Sequence, residues 1–361
     1  MCLSLVFVFF VNSSLRSHVF VDNWHSLTHP LVLSFDKIRD KFRAGCQRGV
    51  LRGSVLGAFV LGTGMSLSSA CPGMVLAQIG AGQPNSVYTV AGGLLGCLVY
   101  GSVEKSMREF VAKGYMFPSE KRFADEFLGW TNKVPLMITG LGLFALAASG
   151  VIEAVVPWDG VMDSDRIHEV DFPNSVYEHD ACLSNPLRCR SWPPSISGAI
   201  LGSLQLILML RFTTCMGSAT AYQSIVAAPF LLFGGKGRKK MVEDKPWLKY
   251  LVTFTPASVE LQWQILWCTF CCIGAFASAS MSGTYGTVPG LSALECFLGG
   301  LFMLFGGRLT AGCTSSHGIS GCALLQNASF VAVPAMFGGG IVSGFIIKAI
   351  QGDSFYPAYS V

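Results

Sequence analysis

Long apolar stretches constrain this chain more than any other feature of its sequence. Four of them have about the length of one bilayer crossing, roughly 20 residues, and they cover residues 134–157, 195–212, 291–307 and 330–350. Charged residues make up 13% of the chain, against roughly 25% in an ordinary soluble domain. The sequence therefore predicts an all-α integral membrane protein with about eight or nine transmembrane helices.

The distribution of charge predicts how the chain is oriented in the membrane. Segments 37–52, 105–133 and 236–249 are rich in Lys and Arg, and such segments stay on the cytoplasmic side. Segment 158–194 is acidic and is predicted to face outward. It contains Cys182 and Cys189, which form a disulfide in an oxidising compartment or remain two thiols. The sequence shows no recognisable organelle-targeting signal, so a multi-pass protein of the plasma membrane is expected.

Two segments of the chain are similar, which indicates an internal repeat. Gly64 precedes Cys71 by seven residues, and Gly306 precedes Cys313 by the same interval. Further along, five positions align without gaps in a register that differs by one residue: Ser86, Val90, Gly96, Val99 and Gly101 with Ser329, Val333, Gly339, Val342 and Gly344. Each repeat then reads as a helix, a glycine-rich break at the cysteine, a short half-helix (72–79 or 315–325) and a returning helix.

These features divide the chain into consecutive parts. The predicted parts are an N-terminal segment at the membrane interface (1–48), a first repeat with the Cys71 loop (49–157), the acidic outward-facing loop (158–194), a proline-led helix with a third loop (195–233), a basic cytoplasmic loop (234–249), a second repeat with the Cys313 loop (250–350) and a C-terminal tail (351–361).

The two cysteine loops are the predicted sites of contact with an anion. Pro72 suits the first position of a helix, which makes Cys71 the predicted N-cap, and Cys313 precedes the hydroxyl residues Thr314 and Ser315. Two helix N-termini would then point at the cysteines, and such ends attract anions. A buried cysteine is more often a small core residue, and most of the thirteen cysteines are read in that way. A neutral thiol suits a carrier, because it donates weakly to an anion without trapping it.

Several ionisable residues lie near these loops. Arg308 and Arg211 are expected to face a cavity or to snorkel to the interface. His317 is expected to form hydrogen bonds and to donate to an oxyanion, because two ligands on one turn are too few for zinc. Glu260 and Glu295 lie in apolar runs and are candidates for a coupling proton.

Three stretches resemble motifs of the YeeE/YedE family of sulfur-compound transporters. Segment 306–321, with Gly312-Cys313-Thr314-Ser315 and His317-Gly318, looks like the signature loop of the family. Cys71-Pro72-Gly73 is similar to a second motif, and segment 192–220 is similar to a proline-led helix with its small-residue loop. The resemblance covers about residues 50–350. It implies inverted repeats with re-entrant loops that meet at a central constriction, where Cys71 and Cys313 contact the sulfur substrate in turn.

We therefore expect a transporter rather than an enzyme, with thiosulfate or a related sulfur anion as its passenger and with no metal or cofactor. The predicted substrate-binding residues are Cys71, Pro72, Gly73, Cys215, Arg308, Cys313, Thr314, Ser315 and His317. Membrane lipid is an expected partner and nucleic acid is not, because the basic segments mix their positive charges with acidic and apolar residues. The alternative is a membrane-embedded sulfurtransferase in which Cys71 or Cys313 forms a persulfide and passes sulfur to a cytosolic acceptor protein, which requires a reactive thiolate.

Overall fold

The computed structural model describes residues 52–112, 217–256, 259–287, 290–322 and 327–351, together with several positions between 197 and 204. Within these residues the regular secondary structure is helical, and no strand occurs. The α-helices are α1 (Arg52–Ser68), α2 (Met74–Gly80), α3 (Ser86–Ala112), α4 (Ala219–Ala227), α5 (Gly234–Asp244), α6 (Lys249–Thr253), α7 (Val259–Met281), α8 (Ala293–Leu309) and α9 (Asn327–Gln351). The N-terminal segment, the acidic loop with Cys182 and Cys189, and the third-loop Cys215 lie outside the described residues.

The chain forms two compact units. One consists of Gly49–Phe117, Gly217–His317 and Val331–Val361, and it contains both Cys71 and Cys313. The other consists of Met1–Arg48, Pro118–Met216 and Gly318–Phe330. Few residues of this second unit are described, so the architecture of the site is that of the first.

Three of the described helices are long and apolar enough to cross a membrane. These spans are Ser86–Met107 in α3, Gln264–Met281 in α7 and Ala328–Ile350 in α9, and the apolar part of α1 is shorter. Phe270 and Phe276 on α7 and Phe337 and Phe345 on α9 are exposed, as expected for side chains that face lipid. The chain is a membrane protein whose described regular structure is all-helical, and the number of its transmembrane helices stays a prediction.

The same order of elements occurs twice. Helices α1, α2 and α3 are followed later by α8, a π-helical turn (Ser315–Gly321) and α9. The short helices differ from their predicted bounds. Helix α2 begins at Met74 with Gly73 as its N-cap, so the predicted N-cap at Cys71 is wrong. The carbonyl of Cys71 accepts a hydrogen bond from the amide of Val75 at 3.1 Å, in the turn that precedes the helix. After Cys313 the turn is a π-helix rather than an α-helix, and Gly318 and Gly321 weaken its α-helical propensity.

Glycines bring the backbones of the two segments into contact. A Cβ atom on Gly57 of α1 would lie 2.5 Å from the amide nitrogen of Thr310, and one on Gly299 of α8 would lie 2.7 Å from the amide nitrogen of Ser68. These two contacts are reciprocal, because Gly57 and Gly299 are separated by the interval that separates Cys71 from Cys313, and so are Ser68 and Thr310. Two further sets of contacts are reciprocal. In one, Gly64 meets Met303 and Gly306 meets Leu61; in the other, Gly96 meets Leu301 and Gly339 meets Phe59.

The basic segment after the third loop is more ordered than its sequence predicted. A 3-10 helix (Ala228–Phe233) leads from α4 into α5, so most of the predicted loop 234–249 is helical. Lys, Arg, Met and Glu are good helix formers, which accounts for the difference. Leu232, Phe233 and Trp247 beside this segment are exposed.

Candidate functional site

The sulfur of Cys313 is surrounded by hydrogen-bonding groups. Its Sγ lies 3.0 Å from the Oγ of Ser315 and 3.4 Å from the Oγ of Ser316. The backbone amides of Ser316 and Ala219 also donate to it. Cys313 itself is completely buried, so these neighbours, and not water, determine the polarity around the thiol. The predicted residue Ser315 is thus in direct contact with the predicted cysteine.

The donor from Ala219 shows that the start of α4 reaches the Cys313 loop. Gly217, two residues earlier, packs so closely that a Cβ atom there would lie 2.6 Å from the Oγ of Ser316 and 4.0 Å from the Sγ of Cys313. The sequence predicted a small-residue loop at this point. It did not predict that Ser218 and Ala219 line the site, although the run Gly217-Ser218-Ala219 is the signal by which they could have been found.

The same turn of α4 also contacts the Cys71 loop. A Cβ atom on Gly73 would lie 3.7 Å from the Oγ of Ser218, which is ordinary van der Waals distance. The hydroxyl of Tyr222 donates to the carbonyl of Pro72 at 2.9 Å. Cys71 is partly exposed and Pro72 is buried. The first turn of α4 therefore touches both cysteine loops, which are far apart in sequence.

Both loops contain a strained backbone at the same position. Ser69, two residues before Cys71, has a φ of 48°, and Ala311, two residues before Cys313, has a φ of 61°. Side chains other than glycine rarely adopt this left-handed conformation, which costs roughly 1–2 kcal/mol. Strain of this kind persists where the surrounding structure enforces it, and it often accompanies functional sites.

Two other predicted residues support the Cys313 loop. The Nε2 of the buried His317 lies 3.2 Å from the carbonyl oxygen of Thr310 and 3.4 Å from its hydroxyl, and the amide of His317 donates to the carbonyl of Cys313 at 2.9 Å. His317 thus joins the two ends of the loop through its ring and its backbone amide. Thr314 contacts the sulfur of Met65 on α1 at 4.0 Å.

A comparison with known families identifies the family of the chain. A family model described as sulphur transport matches residues 14–342, which is most of the chain. The chain belongs to this sulphur transport family. The match supports the resemblance to YeeE/YedE proteins seen in the sequence. No curated protein matches the chain.

Membership in the sulphur transport family, with the apolar helices, identifies a membrane protein with a sulfur transport role. Among the described residues, no cluster of three or more His, Cys, Asp or Glu side chains has a geometry suited to a metal ion. Cys268 of α7 is buried in the core, and Cys271 and Cys272 are partly exposed. Glu295 accepts hydrogen bonds from the amide and hydroxyl of Ser292 at 3.1 and 2.7 Å, so it caps the start of α8.

Arg308 lies in an aromatic cluster rather than against the sulfur of Cys313. Its Nε and Nη2 donate to the hydroxyl of Tyr250 at 3.1 and 2.6 Å, and its guanidinium carbon lies 4.7 Å from the ring centroid of Phe254. The side chain is buried, and in the described part of the chain it forms no ion pair with a carboxylate. A buried cation that is balanced only by π-electrons and a hydroxyl raises the local positive potential.

Helix α4 contains an unusual set of unpaired polar groups. The Oγ of Ser218, both side-chain amide atoms of Gln223 and the Oγ of Ser224 are buried and have no hydrogen-bond partner among the described residues. On the neighbouring helix α7, the Oε1 of Gln264 is in the same state. The Oγ1 of Thr89 on α3 is also unpaired, but most of these atoms belong to α4 and its N-cap. Leaving such a group unpaired costs about 1–3 kcal/mol each, so this segment carries a large local penalty.

Proposed function

We propose that this protein carries thiosulfate, or a closely related small sulfur anion, across the plasma membrane along a path that passes Cys71 and Cys313. The observation that supports the proposal best is the position of the first turn of α4, which touches both cysteine loops. At this turn the amide of Ala219, the hydroxyl of Ser218 and the thiols of both loops offer hydrogen-bond donors without a positive charge. Neutral donors bind an anion weakly enough to let it move on.

An inverted repeat is the second part of the proposal. The reciprocal contacts Gly57 with Thr310 and Gly299 with Ser68 are what a two-fold relation between the segments requires, because each residue then meets the counterpart of its partner. Two such segments with opposite orientation bring their broken helices together from the two faces of the membrane. The cysteine loops, as re-entrant segments, would then form one constriction between them.

The test is uptake of radiolabelled thiosulfate into proteoliposomes that contain the full-length protein. In Cys313→Ala we expect uptake to fall by about tenfold or more, because a lost hydrogen bond to a charged group is worth roughly 1.5–3 kcal/mol. Cys296→Ala is the matched control, since Cys296 is also buried but lies in α8 away from the loops. Unchanged uptake in Cys313→Ala, with a normal melting temperature, would rule out the cysteine path.

A second candidate function is supported by the four groups that surround the Cys313 sulfur, because such donors would also stabilise a thiolate. In this sulfurtransferase, the thiolate attacks the outer sulfur of thiosulfate, a cysteine persulfide forms, and sulfite leaves with the electron pair of the broken S–S bond. Cys313→Ser separates the two functions. A serine hydroxyl still donates to an anion and should retain part of the uptake, whereas it cannot form a persulfide. Persulfide on wild-type Cys313, detected by mass spectrometry after incubation with thiosulfate, would favour the enzyme.

A further inference from the structure

Two consecutive residues in the middle of α4 are polar and completely buried, and their side chains have no partner in the described part of the chain. Gln223 and Ser224 are each 0% exposed, and neither the side-chain amide of Gln223 nor the hydroxyl of Ser224 forms a hydrogen bond with a described residue. Native proteins nearly always pair such groups, and an exception calls for a ligand or a water molecule as the missing partner. The side-chain donors of Gln223 and Ser224 are therefore free to bind a polar ligand.

The position of these residues relates them to the cysteine loops. Gln223 lies one helical turn after Ala219, on the same face of α4, which is about 6 Å along the helix axis from the amide that contacts Cys313. Beyond Ser224 the chain continues through the 3-10 helix into α5, which contains Lys236, Arg238, Lys239 and Lys240. Gln223 and Ser224 thus follow Cys313 in the direction of the segment that the charge pattern assigns to the cytoplasm.

We infer that Gln223 and Ser224 form a binding station for the oxygen atoms of a sulfur oxyanion that has passed Cys313. The inference rests on the proposed function and adds a second binding site, which takes the oxygen atoms of the same anion. The Nε2 of Gln223 and the hydroxyl of Ser224 donate to the oxyanion, while the amide oxygen, an acceptor, is left for water. Cysteine thiols are weak donors, so stronger donors beyond Cys313 would add to the binding of the oxygen atoms.

The experiment compares three variants in the same proteoliposome assay, with thiosulfate as the labelled anion. For Gln223→Leu we expect the KM for thiosulfate to rise about tenfold, while the melting temperature stays equal or increases because an unpaired buried amide is removed. For Ser224→Ala we expect a KM several-fold higher. Unlabelled sulfite, which has oxygen atoms but no outer sulfur, should inhibit Gln223→Leu less than wild type. Ile225→Ala, on the exposed side of α4, is the matched control and should behave as wild type.

Each outcome supports or overturns the inference. An unchanged KM in both Gln223→Leu and Ser224→Ala, with normal wild-type uptake, overturns the station and leaves the proposed function intact. Lower uptake together with a lower melting temperature and unaltered inhibition by sulfite indicates a packing role and also overturns it. If Gln223→Leu does not fold, the smaller change Ser224→Ala decides by the same KM criterion. If proteoliposomes with the wild-type protein take up no thiosulfate, both the proposed function and the binding station are overturned.

Discussion

The backbone amide of Ala219 donates a hydrogen bond to the sulfur of Cys313. This contact joins the N-terminal end of α4 to a loop that lies almost a hundred residues further along the chain. Ser218 and Tyr222 join the same turn of α4 to the loop of Cys71. The two cysteine loops thus share one support, and a change in that support should affect transport without touching either cysteine.

Tyr222→Phe tests this shared support. The substitution removes the hydrogen bond to the carbonyl of Pro72 and leaves that carbonyl without its partner, which costs on the order of 1 kcal/mol. We expect the kcat/KM for thiosulfate uptake to fall about fivefold, because the Cys71 loop is no longer held against α4. Tyr285→Phe, on an exposed tyrosine, is the control. Equal transport by both variants would show that α4 does not position the loop.

Gly57→Ala and Gly299→Ala test the reciprocal contacts of α1 and α8. In both variants the new methyl group meets backbone atoms at 3.0 Å or less, which forces the helices apart and should destabilise the protein by about 1–3 kcal/mol. Gly274→Ala on α7 is the control, since nothing lies within 4 Å of its added Cβ atom. The stability of all three variants is measured as the apparent melting temperature in detergent. A two-fold relation predicts similar losses for Gly57 and Gly299, and a large loss at only one of them would argue against it.

Ala311→Gly and Ser69→Gly test the strain before the two cysteines. Glycine adopts a positive φ without the steric cost, so each variant should gain up to about 1 kcal/mol and melt roughly 2 °C higher. Ala58→Gly in the regular helix α1 should lose about 1 kcal/mol instead. If the strain holds the thiols in place, the stabilised variants should also transport thiosulfate more slowly. Lower melting temperatures for both loop variants would contradict the assignment of strain.

Arg308→Lys separates charge from geometry in the aromatic cluster. Lysine keeps the positive charge but cannot donate twice to Tyr250 while it stacks on Phe254, so we expect a loss of about 1–3 kcal/mol in stability. Uptake of thiosulfate should stay within about twofold of wild type, because an anion is attracted by the charge. The exposed Lys239→Arg on α5 is the control. A folded Arg308→Lys protein without uptake would assign the guanidinium itself to binding.

Much of the candidate site could be predicted because its signals are local. Cys71 and Cys313 each follow a glycine-rich run and precede helix-starting residues, and the repeat makes each motif a check on the other. The one-residue difference in register between the cysteines and the following helices also recurs in the structure, where Gly96 meets Leu301 and Gly339 meets Phe59. The bounds of the short helices were less accurate, because the helix N-cap at Gly73 and the π-turn after Cys313 depend on how the loops pack.

The sequence alone determined that this protein lies in a lipid bilayer and where its helices break, because hydropathy, glycine runs and proline act on neighbouring residues. Only the tertiary structure decided which groups meet at those breaks. The amide of Ala219 at Cys313, the hydroxyl of Tyr222 at Pro72 and the unpaired amide of Gln223 depend on how closely separate helices approach. That approach results from glycine contacts between residues far apart in the chain, such as Gly57 with Thr310, and no local pattern encodes it.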